Sequence, residues 1–234
     1  MMRARLELST YLVADVTTIT GAGFRRSVAD VVSAAVAGGA GVVQIRGKEL
    51  AANELLRIVE ACAERIDGRA VLLVNDRVDV ALAARAAGVP IDGVHVGQSD
   101  LPPHLVRALL GPEAIVGLSA SRDDELAALR RLPEGTVDYL GVGAVRATPT
   151  KKDHPAPLAW DGFAAFAART GDLPCVAIGG VGSGDAADAQ RAGAAGLAVV
   201  RAVCSAPDPQ AAAEALCAEW NAAQIIAQRT EALA

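Results

Sequence analysis

Residues 70–100 read AVLLVNDRVDVALAARAAGVPIDGVHVGQSD. The segment begins with a continuous apolar run of strand length and meets its first polar residues at Asn75 and Asp76. RVDVALAARAAG then sets apolar residues at helical spacing until Gly88, where a helix can stop and turn tightly. A second short run, GVHVG from Gly93, follows. Strand, helix, glycine turn and strand make one βαβ unit. Strands that are almost continuously apolar belong to a parallel sheet covered on both faces.

The same unit repeats along the chain. Apolar runs start at Tyr11 (YLVAD), Val42 (VVQIR), Ala114 (AIVGLS), Asp138 (DYLGVG), Cys175 (CVAIGG) and Gly196 (GLAVV). Between them lie helix-like segments such as LAANELLRIVEACAERI from Leu50 and DELAALRRL from Asp124. Ala40-Gly41 and Ala192-Gly193 repeat the tight entry into the next strand. Eight strands alternating with helices, without a second glycine-rich nucleotide fingerprint, favour a closed barrel over an open doubly wound sheet. The expected fold is α/β: a single (β/α)8 TIM barrel with a parallel eight-stranded core over about residues 10–216. Residues 217–234 are expected to form a C-terminal helical extension.

The chain has 234 residues, 52% of them apolar, which is ample for one core and short for two domains. Aromatic residues make up only 3%, too few for base-stacking platforms, and the formal charge of −5 provides no general basic face. A locally cationic pocket stays compatible with that balance. Cys62, Cys175, Cys204 and Cys217 lie far apart with no CxxC pair, which points to reduced thiols rather than zinc or disulfides. The opening MMRARLELSTYLVAD has no apolar run of signal-peptide length. Nowhere does the chain reach the roughly 20 uninterrupted apolar residues of a membrane helix. The expectation is a cytoplasmic protein acting on small molecules, with no nucleic-acid or membrane partner; its oligomeric state, a homo-oligomer included, stays open.

In a barrel of this kind the active site lies at the C-terminal ends of the strands. Gln44, Arg46 and Lys48 leave the second strand at period two and so share one side of the chain, facing the mouth. Two cations and an amide in one cavity suit an anion; the alternative is a pair of solvated surface charges. The third strand ends in Asn75-Asp76 and the fourth runs into Gly97-Gln98-Ser99-Asp100. Two carboxylates at adjacent rims suit magnesium, which keeps several waters and also takes phosphate oxygens, whereas either aspartate alone equally suits a helix cap. The fifth strand ends at Ser119, and the sixth delivers Thr148, Thr150, Lys151 and Lys152 in the loop ATPTKKD. Hydroxyls beside a lysine offer compact donors to phosphate. Gly179-Gly180 and Val200-Arg201 end the last two strands, where backbone amides of this fold commonly cradle phosphate, unless the glycines merely serve a turn. Alternation turns His95 inward, between Val94 and Val96, as a hydrogen-bonded support rather than a catalyst. His104 and His154 carry no assigned chemistry, and Trp160 and Trp220 read as packing residues. Metal-assisted departure of a diphosphate needs equipment of this sort, in which charge stabilisation and positioning outweigh proton transfer.

In these residues the chain resembles the thiamine-phosphate synthase family. The matching motifs are VQIRGK, VNDRVDVALAARAAG, DGVHVGQSDLP, IVGLSAS, DYLGVGAVRATPTKKD, VAIGGV and AGAAGLAVVRAV, in family order from the first strand to the last helix. GVHVGQSDLP together with TPTKK is the specific pair. The resemblance implies that Gln44, Arg46, Lys48, Asn75, Ser119 and Lys151 hold an aminomethylpyrimidine diphosphate, with Arg46, Lys48, Ser119 and Lys151 serving the chemistry. It implies Asp76 and Asp100 as Mg2+ ligands. Thr148, Thr150, Gly180, Val200 and Arg201 would line a thiazole-phosphate site. In that family the diphosphate leaves to give a pyrimidine methyl cation, which the thiazole nitrogen captures. The chain departs from the family pattern at Gly47, where an acidic residue is usual, and at Arg201, where serine is common. It also departs at Gly143-Ala144-Val145-Arg146-Ala147-Thr148, which lacks the usual prolines, at Val89-Pro90-Ile91, and at HPAPLAW.

Three other readings compete. A thiazole tautomerase on the same barrel resembles this chain too, but it depends on a histidine just after the fifth strand, where Ala120-Ser121 stand here. An isomerase of phosphorylated sugars would need an acid/base pair on opposite faces of a carbon, and no such pair is evident. A non-catalytic phosphate sensor would have no need of magnesium.

Overall fold

The computed structural model describes residues 6–148 and 156–231. Each expected strand starts within one residue of its apolar run. In chain order the first half is β1 (Thr10–Asp15), α1 (Val16–Gly21), α2 (Val28–Ala37), β2 (Val42–Arg46), α3 (Ala52–Ile66), β3 (Val71–Asn75), α4 (Val78–Ala86) and β4 (Gly93–Val96). The second half is α5 (Pro103–Leu110), β5 (Ile115–Ser119), α6 (Asp123–Leu129), β6 (Tyr139–Gly143), α7 (Ala159–Ala167), β7 (Cys175–Ile178), α8 (Ala186–Arg191), β8 (Gly196–Val199), α9 (Arg201–Cys204) and α10 (Pro209–Glu231). The strands pair in parallel in chain order, and β1 pairs with β8 to close the barrel.

Side-chain alternation divides the core in two. Leu12, Val43, Val74, Val94, Val116, Leu140, Ala177 and Leu197 face outward and join the layer formed with the helices. Tyr11, Val42, Leu73, Ile115, Tyr139 and Val176 face inward and fill the lumen. The helices supply the other half of the outer layer. In α3, Leu55, Val59, Cys62, Ala63 and Ile66 recur at spacings of three and four and are all buried. Burying each of the larger ones contributes about 1.5–3 kcal/mol. The helix ends where Asp67 turns left-handed at φ 48°, with Gly68 after it. Ser27 and Asp30 start α2 with a reciprocal capping box. One continuous helix, α10, runs from Pro209 to Glu231; Ala213, Leu216 and Trp220 are buried, whereas Ile225 and Ile226 are exposed. Glu219 of α10 accepts a hydrogen bond from the Gly184 amide at 2.6 Å, which ties the helix to the loop after β7. Among the described residues no helix is long and apolar enough to cross a membrane.

The lumen holds two large rings, Tyr11 and Tyr139, both fully buried. Room for them comes from glycine. Gly117 lies in register beside Tyr139, and a Cβ there would sit 2.2 Å from the tyrosine Cζ. A methyl group at this position overfills the lumen, although alanine ordinarily suits a strand better than glycine. Gly117→Ala is therefore expected to lower stability by about 1–3 kcal/mol in urea denaturation. An unchanged midpoint would mean that the tyrosine can move aside and that the lumen is loosely filled.

Candidate active site

The C-terminal ends of the strands open into one cavity of about 690 Å³. All the site residues expected from the sequence that lie within the described residues line it. β2 and its continuation supply Gln44, Arg46 and Lys48; the end of β3 supplies Asn75 and Asp76; the loop after β4 supplies Asp100. Ser119 comes from β5, Thr148 from the segment after β6, Gly180 from the turn after β7, and Val200 and Arg201 from the end of β8. Thr150 and Lys151 lie outside the described residues.

The two carboxylates face each other. Asp76 adopts φ 60°, a conformation unusual outside glycine and asparagine, and its amide donates to the His95 carbonyl at 2.8 Å. Burial raises its carboxyl pKa to about 6, assisted by the charge of Asp100 and a hydrogen bond to it; Lys48 and Asn75 pull the other way. The Lys48 ammonium is 3.9 Å from Asp76 and half exposed, too distant and too wet to cancel the repulsion. Asp100 accepts from the Gly97 amide at 2.8 Å. Neither aspartate caps a helix: Arg77 occupies the N-cap of α4 and Pro102 that of α5, each without a side-chain cap bond. Capping therefore does not account for the pair.

Arg46 is not the unopposed cation that its motif suggests. It forms an ion pair with Asp15, a buried carboxylate at the end of β1. Asp15 also accepts from the Thr18 amide at 2.8 Å and the Thr18 hydroxyl at 2.7 Å. The register places Asp15 beside Arg46, a pairing that motif reading does not supply. Motif reading also missed Tyr11 and Tyr139 on the cavity floor. Gln44, Tyr11, Tyr139, His95 and Ser119 are joined there by hydrogen bonds of 2.5–2.9 Å. His95 does point inward as a hydrogen-bonded support. Gln98, from the loop after β4, reaches the Ser119 carbonyl at 2.6 Å.

On the opposite rim, the chain after β6 runs alongside the end of β7. The Val145 amide donates to Ile178 and the Arg146 amide to Gly179, both at 2.9 Å. Gly179 and Gly180 take φ 93° and 69°, and a Cβ on Gly180 would lie 2.7 Å from that of Arg146. Both conformation and close approach require glycine there. Arg146 grips Asp185 through two bonds of 2.8 and 2.7 Å, while Asp185 also takes the Gly182 amide at 2.9 Å. The guanidinium lies 5.7 Å from the Trp160 ring, so Trp160 supports this arginine as well as packing on Phe163. No local pattern signals the Arg146–Asp185 pair, whose members are 39 residues apart. No group of three or more His, Cys, Asp or Glu side chains is placed to hold a metal ion among the described residues.

Residues 11–203 match the protein family described as thiamine monophosphate synthase. A thiamine-phosphate synthase of Corynebacterium efficiens is 46% identical over 191 residues, covering 82% of this chain and 88% of that protein. Another, from Corynebacterium jeikeium, is 41% identical over 227 residues, 95% of this chain and 99% of its own length. Among solved structures, a thiamine phosphate pyrophosphorylase from Pyrococcus furiosus superposes with a TM-score of 0.78 at 27% identity. The superposition covers 94% of this chain and 99% of that one.

The raised carboxyl of Asp76 has a consequence for stability. Its folded value of about 6 exceeds the ordinary 3.8, so the folded state holds the proton more tightly than the unfolded chain. Its contribution to stability is thus complete below the ordinary value and lost as pH rises through the folded one. Asp76→Asn keeps a residue that tolerates positive φ and removes the ionisation. In EDTA the variant should melt above the parent protein at about pH 8, and the gain should shrink to a small fraction near about pH 4. An equal gain at both pH values would show that the carboxylate charge is not the source.

Proposed function

Because this chain belongs to the thiamine monophosphate synthase family, we propose that it joins a pyrimidine diphosphate to a thiazole phosphate, giving thiamine phosphate and diphosphate. The substrates on this reading are 4-amino-2-methyl-5-(diphosphooxymethyl)pyrimidine and 4-methyl-5-(2-phosphoethyl)thiazole or its carboxylate. The observation that carries the reading is a single cavity with paired carboxylates and a lysine at one rim and a glycine-rich turn at the other.

The donor set fits magnesium. Two carboxylates that repel each other, one with its pKa raised, gain from a divalent cation, and a pair leaves the remaining positions to water and substrate oxygens. Asp76 and Asp100 would hold it. When bound, the ion supplies neutralising charge to the diphosphate oxygens.

The chain's own groups do the rest. Lys48 stands at the rim, and Arg46 keeps donors beyond the nitrogen given to Asp15, so both offer charge to the leaving diphosphate. Lys151, outside the described residues, joins them on this reading. Gln44, Asn75 and Ser119 orient the pyrimidine. The bond from the methylene carbon to the diphosphate oxygen breaks with its electron pair on oxygen. The thiazole nitrogen then forms the new bond from its lone pair. Thr148 and Thr150, with the amides of Gly180, Val200 and Arg201, hold the thiazole phosphate within reach. No side chain has to move a proton in this sequence, so positioning and charge carry the rate. The free thiols of Cys62, Cys175 and Cys204 fit work in the cytoplasm.

A continuous assay of diphosphate release tests the reading. Release is expected only with both substrates and magnesium present. Conversion of the thiazole carboxylate alone, without consumption of pyrimidine, would replace the synthase with the tautomerase. Lys151→Ala should lower the rate at saturating substrate by about 100-fold or more. An unchanged rate with weaker binding alone would remove Lys151 from the chemical step.

A further inference from the structure

The floor of the cavity carries an arrangement that charge stabilisation leaves unused. Hydrogen bonds cross the barrel without a break, through residues of β2, β1, β6, β4 and β5. The Gln44 Nε2 donates to the Tyr11 hydroxyl at 2.5 Å, and the Tyr11 and Tyr139 hydroxyls are 2.7 Å apart. The Tyr139 hydroxyl lies 2.8 Å from His95 Nδ1, and His95 Nε2 lies 2.9 Å from the Ser119 hydroxyl. The glycines opposite are part of the arrangement: a Cβ on Gly117 would come within 2.3 Å of the Tyr139 hydroxyl and 2.5 Å of His95 Nδ1.

Counting donors gives the line a direction. An amide nitrogen only donates, so the Tyr11 oxygen accepts from Gln44. Tyr11 is then placed to give its own hydrogen to Tyr139, the hydroxyl within its reach. Tyr139, accepting from Tyr11, is left its own hydrogen to give to His95 Nδ1. A neutral imidazole that accepts at Nδ1 carries its hydrogen on Nε2 and donates it to Ser119. Burial raises the pKa of both phenols, so neither loses its hydrogen near neutral pH. Ser119, already an acceptor from His95, turns its own hydrogen elsewhere. Gln44, with its amide nitrogen engaged, has its carbonyl oxygen left for the cavity that both residues line.

We propose that Tyr11, Tyr139 and His95 form a positioning relay that fixes Ser119 as a hydrogen-bond donor and Gln44 as an acceptor toward the substrate ring. The inference rests on the pyrimidine diphosphate as substrate and deepens that reading. A ring that carries an amino donor and unprotonated ring nitrogens meets this polarity. A lactam, with a carbonyl in place of the amino group and a hydrogen on the adjacent nitrogen, reverses it. The relay thereby selects the aminopyrimidine over its oxo counterpart, because a mismatch leaves buried polar groups unpaired.

Two measurements on the full chain test this. Nitrogen-15 NMR of labelled histidine, at about pH 8.5 where an ordinary imidazole is neutral, reads the tautomer without substrate. His95 is expected as the Nε2–H form, and Tyr139→Phe should give a mixture of tautomers. The second measurement compares kcat/KM for the amino and oxo pyrimidine diphosphates. Tyr139→Phe should reduce the preference for the amino compound by about tenfold, the worth of one uncharged hydrogen bond. A merely structural lesion would lower both values alike and leave the ratio standing. Should Tyr139→Phe fail to fold, Tyr11→Phe removes the upstream donor and is expected to shift tautomer and ratio in the same direction. An Nδ1–H tautomer in the parent protein, or an unchanged ratio in a folded variant, overturns the relay. Absence of pyrimidine turnover in the parent protein instead overturns the function, while the NMR still reports on the relay.

Discussion

Closure of the parallel ladder is the constraint on which the rest depends. With β8 paired to β1, each strand has one face against helices and the other against the lumen, and no edge is left to carry unpaired amides. Apart from Thr10, the outward positions of the strands are apolar. The inward positions change from Val42, Val71 and Ile115 toward the bottom to Arg46, Asn75 and Ser119 at the top. Period two sets which residues face the lumen, and the change from apolar to polar along each strand makes the mouth polar above an apolar barrel bottom. Gly117 and Gly141 complete it by leaving the space that Tyr139 and His95 occupy.

Electrostatics within this mouth is largely settled by the chain itself. Asp15 answers Arg46, and Asp185 answers Arg146. Both arginines are thereby held in fixed orientations, with part of their hydrogen-bonding capacity already committed. The Asp76–Asp100 pair is different, since here like charges face each other and, among the described residues, a half-exposed lysine is the cation paired with it.

Much of the fold was legible because parallel strands buried on both faces leave nearly continuous apolar runs between polar helices, and these have sharp ends. Site residues at strand ends were legible for a related reason: Gln44, Arg46, Lys48, Asn75 and Asp76 interrupt such runs at their last turns. What stayed hidden depends on contacts across the barrel. Asp15 ends a strand as plainly as Asn75 does, but its bond to Arg46 needs the β1–β2 register. Tyr11 and Tyr139 are 128 residues apart and meet only when the lumen closes, so each reads locally as an ordinary core aromatic. That Asp76 and Asp100 cap no helix emerges only once Arg77 and Pro102 are placed at the helix starts.

The central claim is a new bond between a pyrimidine methylene carbon and a thiazole nitrogen, formed in this one cavity. Incubation of carbon-13 methylene-labelled pyrimidine diphosphate with nitrogen-15-labelled thiazole phosphate and magnesium tests it at the atoms concerned. The account predicts a one-bond carbon–nitrogen coupling in the product, with one diphosphate released for each bond formed. Diphosphate release that leaves the labelled carbon as a hydroxymethyl alcohol, or a thiazole changed while the pyrimidine stays intact, would contradict it.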